Sequence, residues 1–323
     1  MKILLTISFV FVVCSCLLAN NISTANVKLT GQNTTNHTTQ VQFDISWENS
    51  WRTSSGPGNW DAAWVFIKYR VNSSGAWRHA YLNAAGHIAP TGSSINIGLL
   101  TPGAGFNATT NPGMGSFIYR SANGSGTFSL TGVQLQWNYG ANGVQDNDLV
   151  DVQVYAIEQV YVPSNSFYLG SGAGSSAAFE YGSFYTYPTE TNPFQVLGEG
   201  AIAVGASATS LYYSVGGGDQ LGPIPAAFPK GYAAFYCMKY ELSQQGYAEF
   251  LNSLTYSQSH AHYDYNGSIG RNRYAVDTII GNSTFISRAP YIACNFLSWS
   301  DLSAYLDWAG LRPITELEYE KAC

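Results

Sequence analysis

Gly310 and Pro313 stand close together near the end of this 323-residue chain, and between them they split the stretch from Ser298 to Cys323 into two short helices. Ser300 is a suitable N-cap, with Asp301 in the first turn, where the helix dipole favours an anion. Leu302, Tyr305, Leu306 and Ala309 then recur at helical spacing. Gly310 stops this helix and Pro313 prevents its continuation. Thr315 followed three residues later by Glu318 is a capping box that starts the second helix.

Upstream the pattern changes from helical to strand-like. Val41, Phe43, Ile45 and Trp47 alternate with Gln42, Asp44 and Ser46, the period of a strand with one buried face. Ala63 to Val71 is apolar on both faces until Lys68 and Arg70, and Trp77 to Leu82, Thr127 to Trp137 and Val150 to Ile157 supply further strands. Turn-rich clusters such as 54–58 and 101–115 separate them, so residues 26–157 are predicted to form an all-β sandwich. The last strand is predicted to continue to Val162, stiffly joining a second, α+β unit over 158–323. Residues 171–231 form a Gly-, Ser-, Ala- and Tyr-rich insertion whose aromatic content predicts an ordered, packed loop. A helix is predicted from Ser243 to Leu254, with Tyr247, Phe250, Leu251 and Leu254 on its buried face. Lys239 and Glu241, just before it, are expected on a solvated strand face.

The first 25 residues have the character of a secretory signal: Lys2, an apolar run from Ile3 to Ala19, then small and polar residues. Cleavage after Ala19 or after Ala25 fits the pattern. Val13-Cys-Ser-Cys16 also matches a lipoprotein box in which Cys16 would carry a lipid anchor; the alternative is that Cys14 and Cys16 are ordinary apolar signal residues. No second membrane segment is predicted. The protein is therefore expected to be secreted, or held at a cell surface or in a periplasm. A formal charge of −6 with only 11% charged residues leaves no basic footprint for nucleic acid. Asn-x-Ser/Thr triplets at Asn33, Asn36, Asn72, Asn107, Asn123, Asn266 and Asn282 are glycan acceptors in a eukaryotic setting and compositional otherwise.

Three stretches together carry a family resemblance. Trp299-x-Asp301-x-x-x-Tyr305-x-x-Trp308-Ala-Gly310-x-Arg312-Pro-x-Thr315-Glu316-x-Glu318-Tyr-Glu320-Lys-Ala322 resembles the signature of the formylglycine-generating enzymes, or sulfatase-modifying factors. Val160 to Gly170 resembles that family's opening strand and turn, and Phe235 to Leu251 its first strand–helix unit. The resemblance spans roughly residues 158–323. Tyr319 stands where the family commonly has Trp, and Pro313-Ile314 replaces the usual Leu-Pro order. The resemblance implies a fold similar to C-type lectin domains, hence a mixed architecture of a β-sandwich followed by a partial α+β domain of this type. It also implies copper held by a cysteine pair that oxidises a sulfatase cysteine, and a structural calcium. In the family those ligands lie beyond the position matched by Cys323, so no catalytic residue is expected within this sequence, which is read as a fragment cut inside its second domain. The matched residues Trp299, Asp301, Tyr305, Trp308, Gly310, Arg312, Thr315, Glu316 and Glu318 are expected to be caps, core and loop-fixing groups.

After loss of the leader, Cys237, Cys294 and Cys323 remain, an odd number for an oxidising compartment. Cys323 matches a position where some relatives place a structural disulfide. His260, His262 and Asp264 alternate, so an extended chain would aim two imidazoles and a carboxylate to one side, a set suited to a divalent transition ion; the same residues also suit a polar, aromatic hairpin ending at Asn266-Gly267. Asp146-Asn-Asp148 reads as a calcium contributor or a turn. Three functions are consistent with these observations: a family oxidase, a catalytically silent protein that binds a protein or glycan ligand, and a structural lipoprotein.

Overall fold

The computed structural model describes residues 21–73, 75–172, 183–213, 221–263, 268–279 and 284–323. The strands are β1 (Ser23–Asn33), β2 (Thr38–Arg52), β3 (Trp60–Val71), β4 (Arg78–His79), β5 (Ser93–Leu99), β6 (Gly113–Arg120), β7 (Gly124–Trp137) and β8 (Val150–Val162). They are followed by β9 (Phe167–Leu169), β10 (Tyr185–Thr186), β11 (Phe194–Val196), β12 (Leu211–Tyr212), β13 (Phe235–Met238), β14 (Val276–Ile279) and β15 (Thr284–Ser287). The helices are α1 (Gln244–Ser253), α2 (Tyr256–Ala261), α3 (Trp299–Ala309) and α4 (Glu316–Ala322). The fold is β-rich and mixed, and no helix among the described residues is long and apolar enough to cross a membrane.

Two layers of strands face each other. In the first, β2 lies between β1 and β7, antiparallel to both. In the second, the order is β13-β8-β3-β6-β5, all antiparallel neighbours, with β4 beside the far end of β3. The layers are joined by the pair Arg52↔Trp60, where the chain folds from β2 into β3, and by Leu82, which bridges Gly113 of β6 and Trp137 of β7. Val41, Phe43, Ile45 and Trp47 of β2 and Val133, Leu135 and Trp137 of β7 meet Ala63, Val65, Ile67 and Tyr69 of β3 in one buried cluster. The alternation in β2 is thus the signature of a strand with one face in a core.

β3 is buried on both faces from Asp61 to Tyr69. Its second face, Trp64 and Phe66, packs with Ile157 against Tyr247, Phe250 and Leu251 of α1 and Tyr305 and Trp308 of α3. That is the physical reason its sequence is apolar without alternation: the sheet carries helices on its outer side. β8 runs unbroken from Val150 to Val162, as its sequence predicts, and β13 pairs with its end, so one sheet underlies both units. The β14–β15 hairpin rests on α1, where the Asn252 side chain bonds both backbone groups of Phe285. A third cluster joins Leu169, Val196, Ile202 and Leu211 to Leu317 of α4, so the described part of the 171–231 insertion is packed and ordered.

Several sequence expectations need correcting. β1, β5 and β6 were not anticipated, and β6 begins inside the stretch 101–115 that reads as turns. Of the stretch from Trp77 to Leu82, only Arg78–His79 is a strand, with Leu82 in an isolated bridge. The cap of α3 is Ser298, not Ser300: Asp301 sits three residues after it, and its Oδ2 accepts from both the Ser298 N–H and hydroxyl while Ser298 Oγ accepts from the Asp301 N–H. Lys239 is not on a solvated face; its side chain is buried between Asp61 and Glu158. The signal-like residues 1–20 lie outside the described residues, whereas Ser23 to Ala25 are paired in β1.

Candidate functional site

The residues of the C-terminal motif form one connected brace. Tyr305 and Trp308 are core residues of α3. Gly310 adopts a left-handed φ of 68° as the helix cap, and Leu311 N–H returns to the Leu306 carbonyl. Arg312 grips Glu318 with two bonds, Nη1 to Oε2 at 2.8 Å and Nη2 to Oε1 at 2.6 Å. Glu318 also accepts from the Thr315 N–H, and its own N–H bonds Thr315 Oγ1, so the capping box and the ion pair share one carboxylate. Burial alone would raise the Glu318 pKa, but the Arg312 and Thr315 bonds outweigh it and hold it below the usual glutamate value. Trp299 and Glu316 are exposed. Lys321 donates to the carbonyls of Pro163 and Gly231, fastening α4 to the loops around it.

Asp301 has a second partner: its Oδ1 lies 2.8 Å from His262 Nδ1. This ties α3 to the end of α2 and accounts for one of the candidate metal ligands. The alternating geometry expected for His260, His262 and Asp264 does not form, because Tyr256–Ala261 is helical, started by the Thr255–Gln258 capping box. His260 stacks on Tyr256, His262 caps the helix end, and Asp264 lies outside the described residues. At Asp146 and Asp148, oxygens are taken up by Tyr139, His37 and the Gln145 N–H, the arrangement of a closed turn. Among the described residues no group of three His, Cys, Asp or Glu side chains could hold a metal ion.

The thiols do not suit copper either. Cys237, Cys294 and Cys323 are unpaired. Burial, with the Asp301 charge adding to it, pushes the Cys294 thiol up to about 12, and burial likewise raises Cys237, with Cys323 and Glu318 contributing. A metal-binding thiolate needs the opposite shift. The described residues therefore do not fit the copper centre implied by the resemblance.

What the fold does build is a recess of about 430 Å³ where α1 and α3 stand over β3 and β8. Phe66, Tyr155 and Trp308 form its aromatic side: Phe66 and Tyr155 stack at 5.4 Å, and Trp308 meets them edge-on at 4.9 and 4.8 Å. Glu249 of α1 is the one charged side chain lining it among the described residues. Gln245 Nε2 donates to Glu249 Oε1 at 2.8 Å, and Oε2 has no partner among the described residues. Burial raises the Glu249 pKa, only partly offset by the Gln245 bond. Its charge in turn raises the phenols of Tyr155 and Tyr305, adding to burial, which is the larger cause for both.

Two further polar groups at this recess lack partners. Tyr305 is 2% exposed, and its hydroxyl makes no hydrogen bond among the described residues. The Trp308 Nε1–H is buried and unpaired. Of the three, the Trp308 Nε1–H is the buried atom without a partner among the described residues, whereas Glu249 Oε2 and the Tyr305 hydroxyl remain reachable from the recess, so its lining offers a carboxylate and a hydroxyl to a ligand. Behind the aromatic side, Lys68 Nζ donates to His79 Nδ1 at 3.1 Å, and His79 Nε2 donates to the Met114 carbonyl. Burial lowers Lys68 to about 8, with Asp307 opposing, and lowers His79 to about 3, with Lys68 contributing.

Sequence reasoning found Tyr305 and Trp308 but gave them only structural roles, and it missed Glu249. A signal was available. Glu249 falls between the buried positions Ala248 and Phe250 of α1, so it sits at the margin of the apolar stripe where a carboxylate is costly. Comparison of the chain with protein-family models, with curated proteins and with solved structures finds no match.

Proposed function

We propose that this chain is an extracytoplasmic ligand-binding protein that resembles the formylglycine-generating enzymes but uses its lectin-like unit to hold a ligand and not to oxidise a cysteine. The observation that carries this reading is the recess between the sheet and α1/α3, with an aromatic side and the Glu249 carboxylate and Tyr305 hydroxyl on its lining. One other feature supports it: the motif residues act as caps, core and ion-pair partners. The extracytoplasmic address rests on the apolar run from Ile3 to Ala19. Function lives in sites grafted on folds, so the motif by itself does not argue for oxidation.

The ligand enters as a small molecule, or as one side chain or sugar of a larger protein or glycan partner, since about 430 Å³ is the scale of a small-ligand site. The test is to titrate the 15N-labelled full chain with n-butylammonium, n-butanol and N-acetylglucosamine in turn and follow the indole N–H of Trp308. A saturable shift with at least one probe is expected. No shift with any of them counts against the reading. In parallel, oxidation of a cysteine peptide in the presence of copper and oxygen would favour the oxidase instead.

A further inference from the structure

Glu249 is a carboxylate in search of a partner. It is partly buried on α1, it lines the recess with no other charged side chain beside it, and no Lys, Arg or His among the described residues forms an ion pair with it. The bond from Gln245 fixes one oxygen and leaves the other turned to no protein group. The Tyr305 hydroxyl, equally unmet, lies nearby: a Cβ built on Gly246 would stand 3.6 Å from it. Tyr155 and Trp308 supply electron-rich ring surface that attracts cations, while Phe66 backs them, stacked between Tyr155 at 5.4 Å and His79 at 6.0 Å. The ring cluster already hosts one such contact, since Lys68 Nζ lies 5.7 Å from the centre of Phe66 and 5.6 Å from that of Trp308.

We propose that the recess recognises an organic ammonium group, with Glu249 as its counter-ion, the Tyr305 oxygen as a second acceptor and the Tyr155 and Trp308 rings beside its carbon substituents. The proposal rests on the reading of the recess as a binding site and names the chemistry of its ligand. An uncharged ligand would leave the Glu249 charge uncompensated in a poorly solvated place, whereas an ammonium restores what burial took away. An anionic ligand is repelled.

The titratable groups that line the recess with Glu249 are Tyr155 of β8, Tyr305 of α3 and Tyr291 of the segment before α3, with burial raising the phenols of Tyr155 and Tyr305, and Gln245 lies on its own helix. Glu249 is the carboxylate among these described lining residues and sets the pH dependence on the acid side. Because burial raises its pKa, the charged form needed for the ammonium is lost earlier on acidification than for an exposed glutamate, and binding weakens as pH falls through that raised value.

The test compares n-butylammonium with its neutral isostere n-butanol by isothermal titration, on the full chain and on Glu249→Gln. The expected result is at least tenfold tighter binding of the cation by the native chain, a preference that Glu249→Gln abolishes while its unfolding midpoint stays within a few degrees. If n-butanol or N-acetylglucosamine binds as well as the cation, and Glu249→Gln binds all probes unchanged, the ammonium assignment falls while the binding site stands. If no probe binds native protein, both fall. Should Glu249→Gln unfold, Glu249→Asp serves, with weakened cation binding expected and unchanged cation preference contradicting the proposal.

Discussion

Trp64 of β3 gives its indole N–H to the carbonyl of Ala309, at 2.8 Å across 245 residues of sequence. The acceptor is one of the last carbonyls of α3, which the helix cannot satisfy itself, so the sheet completes the helix end. Gly98 and Gly115 make room for the indole: a Cβ on either would come within 2.6 Å of it. The bond fixes α3 over the sheet and with it two sides of the recess.

Trp64→Phe is accordingly expected to cost about 1–3 kcal/mol, because the buried Ala309 carbonyl loses its partner. Gly115→Ala should cost a similar ~1–3 kcal/mol by overpacking the indole. Urea unfolding of each variant checks this, and values near zero for both would show that the joint is not where α3 is held.

The second joint is ionic. Lys239 Nζ lies 2.9 Å from Glu158 and 3.1 Å from Asp61, and all three side chains are buried. Burial lowers the Lys239 pKa, but its two carboxylates more than offset that and raise it overall. Lys239→Met leaves two buried carboxylates without a cation and is expected to cost about 3–5 kcal/mol. Chemical denaturation measures the loss; a change below about 1 kcal/mol would contradict a buried-charge role.

Glu318 supplies a pH signature. Its folded pKa is below the usual 4.5, so the unfolded chain takes up its proton first on acidification. The stability it contributes is therefore present above that value and lost as pH falls through the folded pKa. Glu318→Gln should cost about 1–3 kcal/mol at pH 7. The gap between the two proteins should close in acid. A constant gap from pH 7 to pH 3 would remove Glu318 as the source.

β1 bears on processing. Ser23, Thr24 and Ala25 pair with Ser46, Ile45 and Asp44, and Thr24 Oγ1 donates to the Val154 carbonyl. Cleavage after Ala25 would strip these pairs, whereas cleavage after Ala19 keeps β1 whole. If the leader is removed as the apolar run from Ile3 to Ala19 predicts, the intact mass of the processed chain is expected to begin at Asn20; a chain beginning at Asn26 would contradict this.

How much of this was readable in advance follows from where each signal resides. β2, α1 and α4 announce themselves, because their burial has a regular period and their caps are local in sequence. β1 does not: nearly all its residues are exposed, so no apolar alternation exists to read. β6 was hidden by Gly113 and Gly115, which look like turn residues but serve as slots for Leu82 and Trp64. The recess was illegible for a different reason. Phe66, Tyr155, Glu249 and Tyr305 lie on four elements and meet only when the helices settle on the sheet.

Gly246 offers the most direct test of the central claim that this recess binds a ligand. It faces the recess from α1, where a Cβ would meet Leu242 Cδ1 at 3.3 Å, the N-cap oxygen Ser243 Oγ at 3.4 Å and Tyr305 Oη at 3.6 Å, so Leu242 gives by a few tenths of an ångström and the other two are ordinary contacts. Gly246→Met fills the space while improving helix propensity by about 0.5–1 kcal/mol. Isothermal titration with the same three probes is expected to show binding to the native chain and at least a tenfold loss in Gly246→Met, with an unfolding midpoint no lower than native. Equal binding by the plugged and native proteins, or binding by neither, would contradict it.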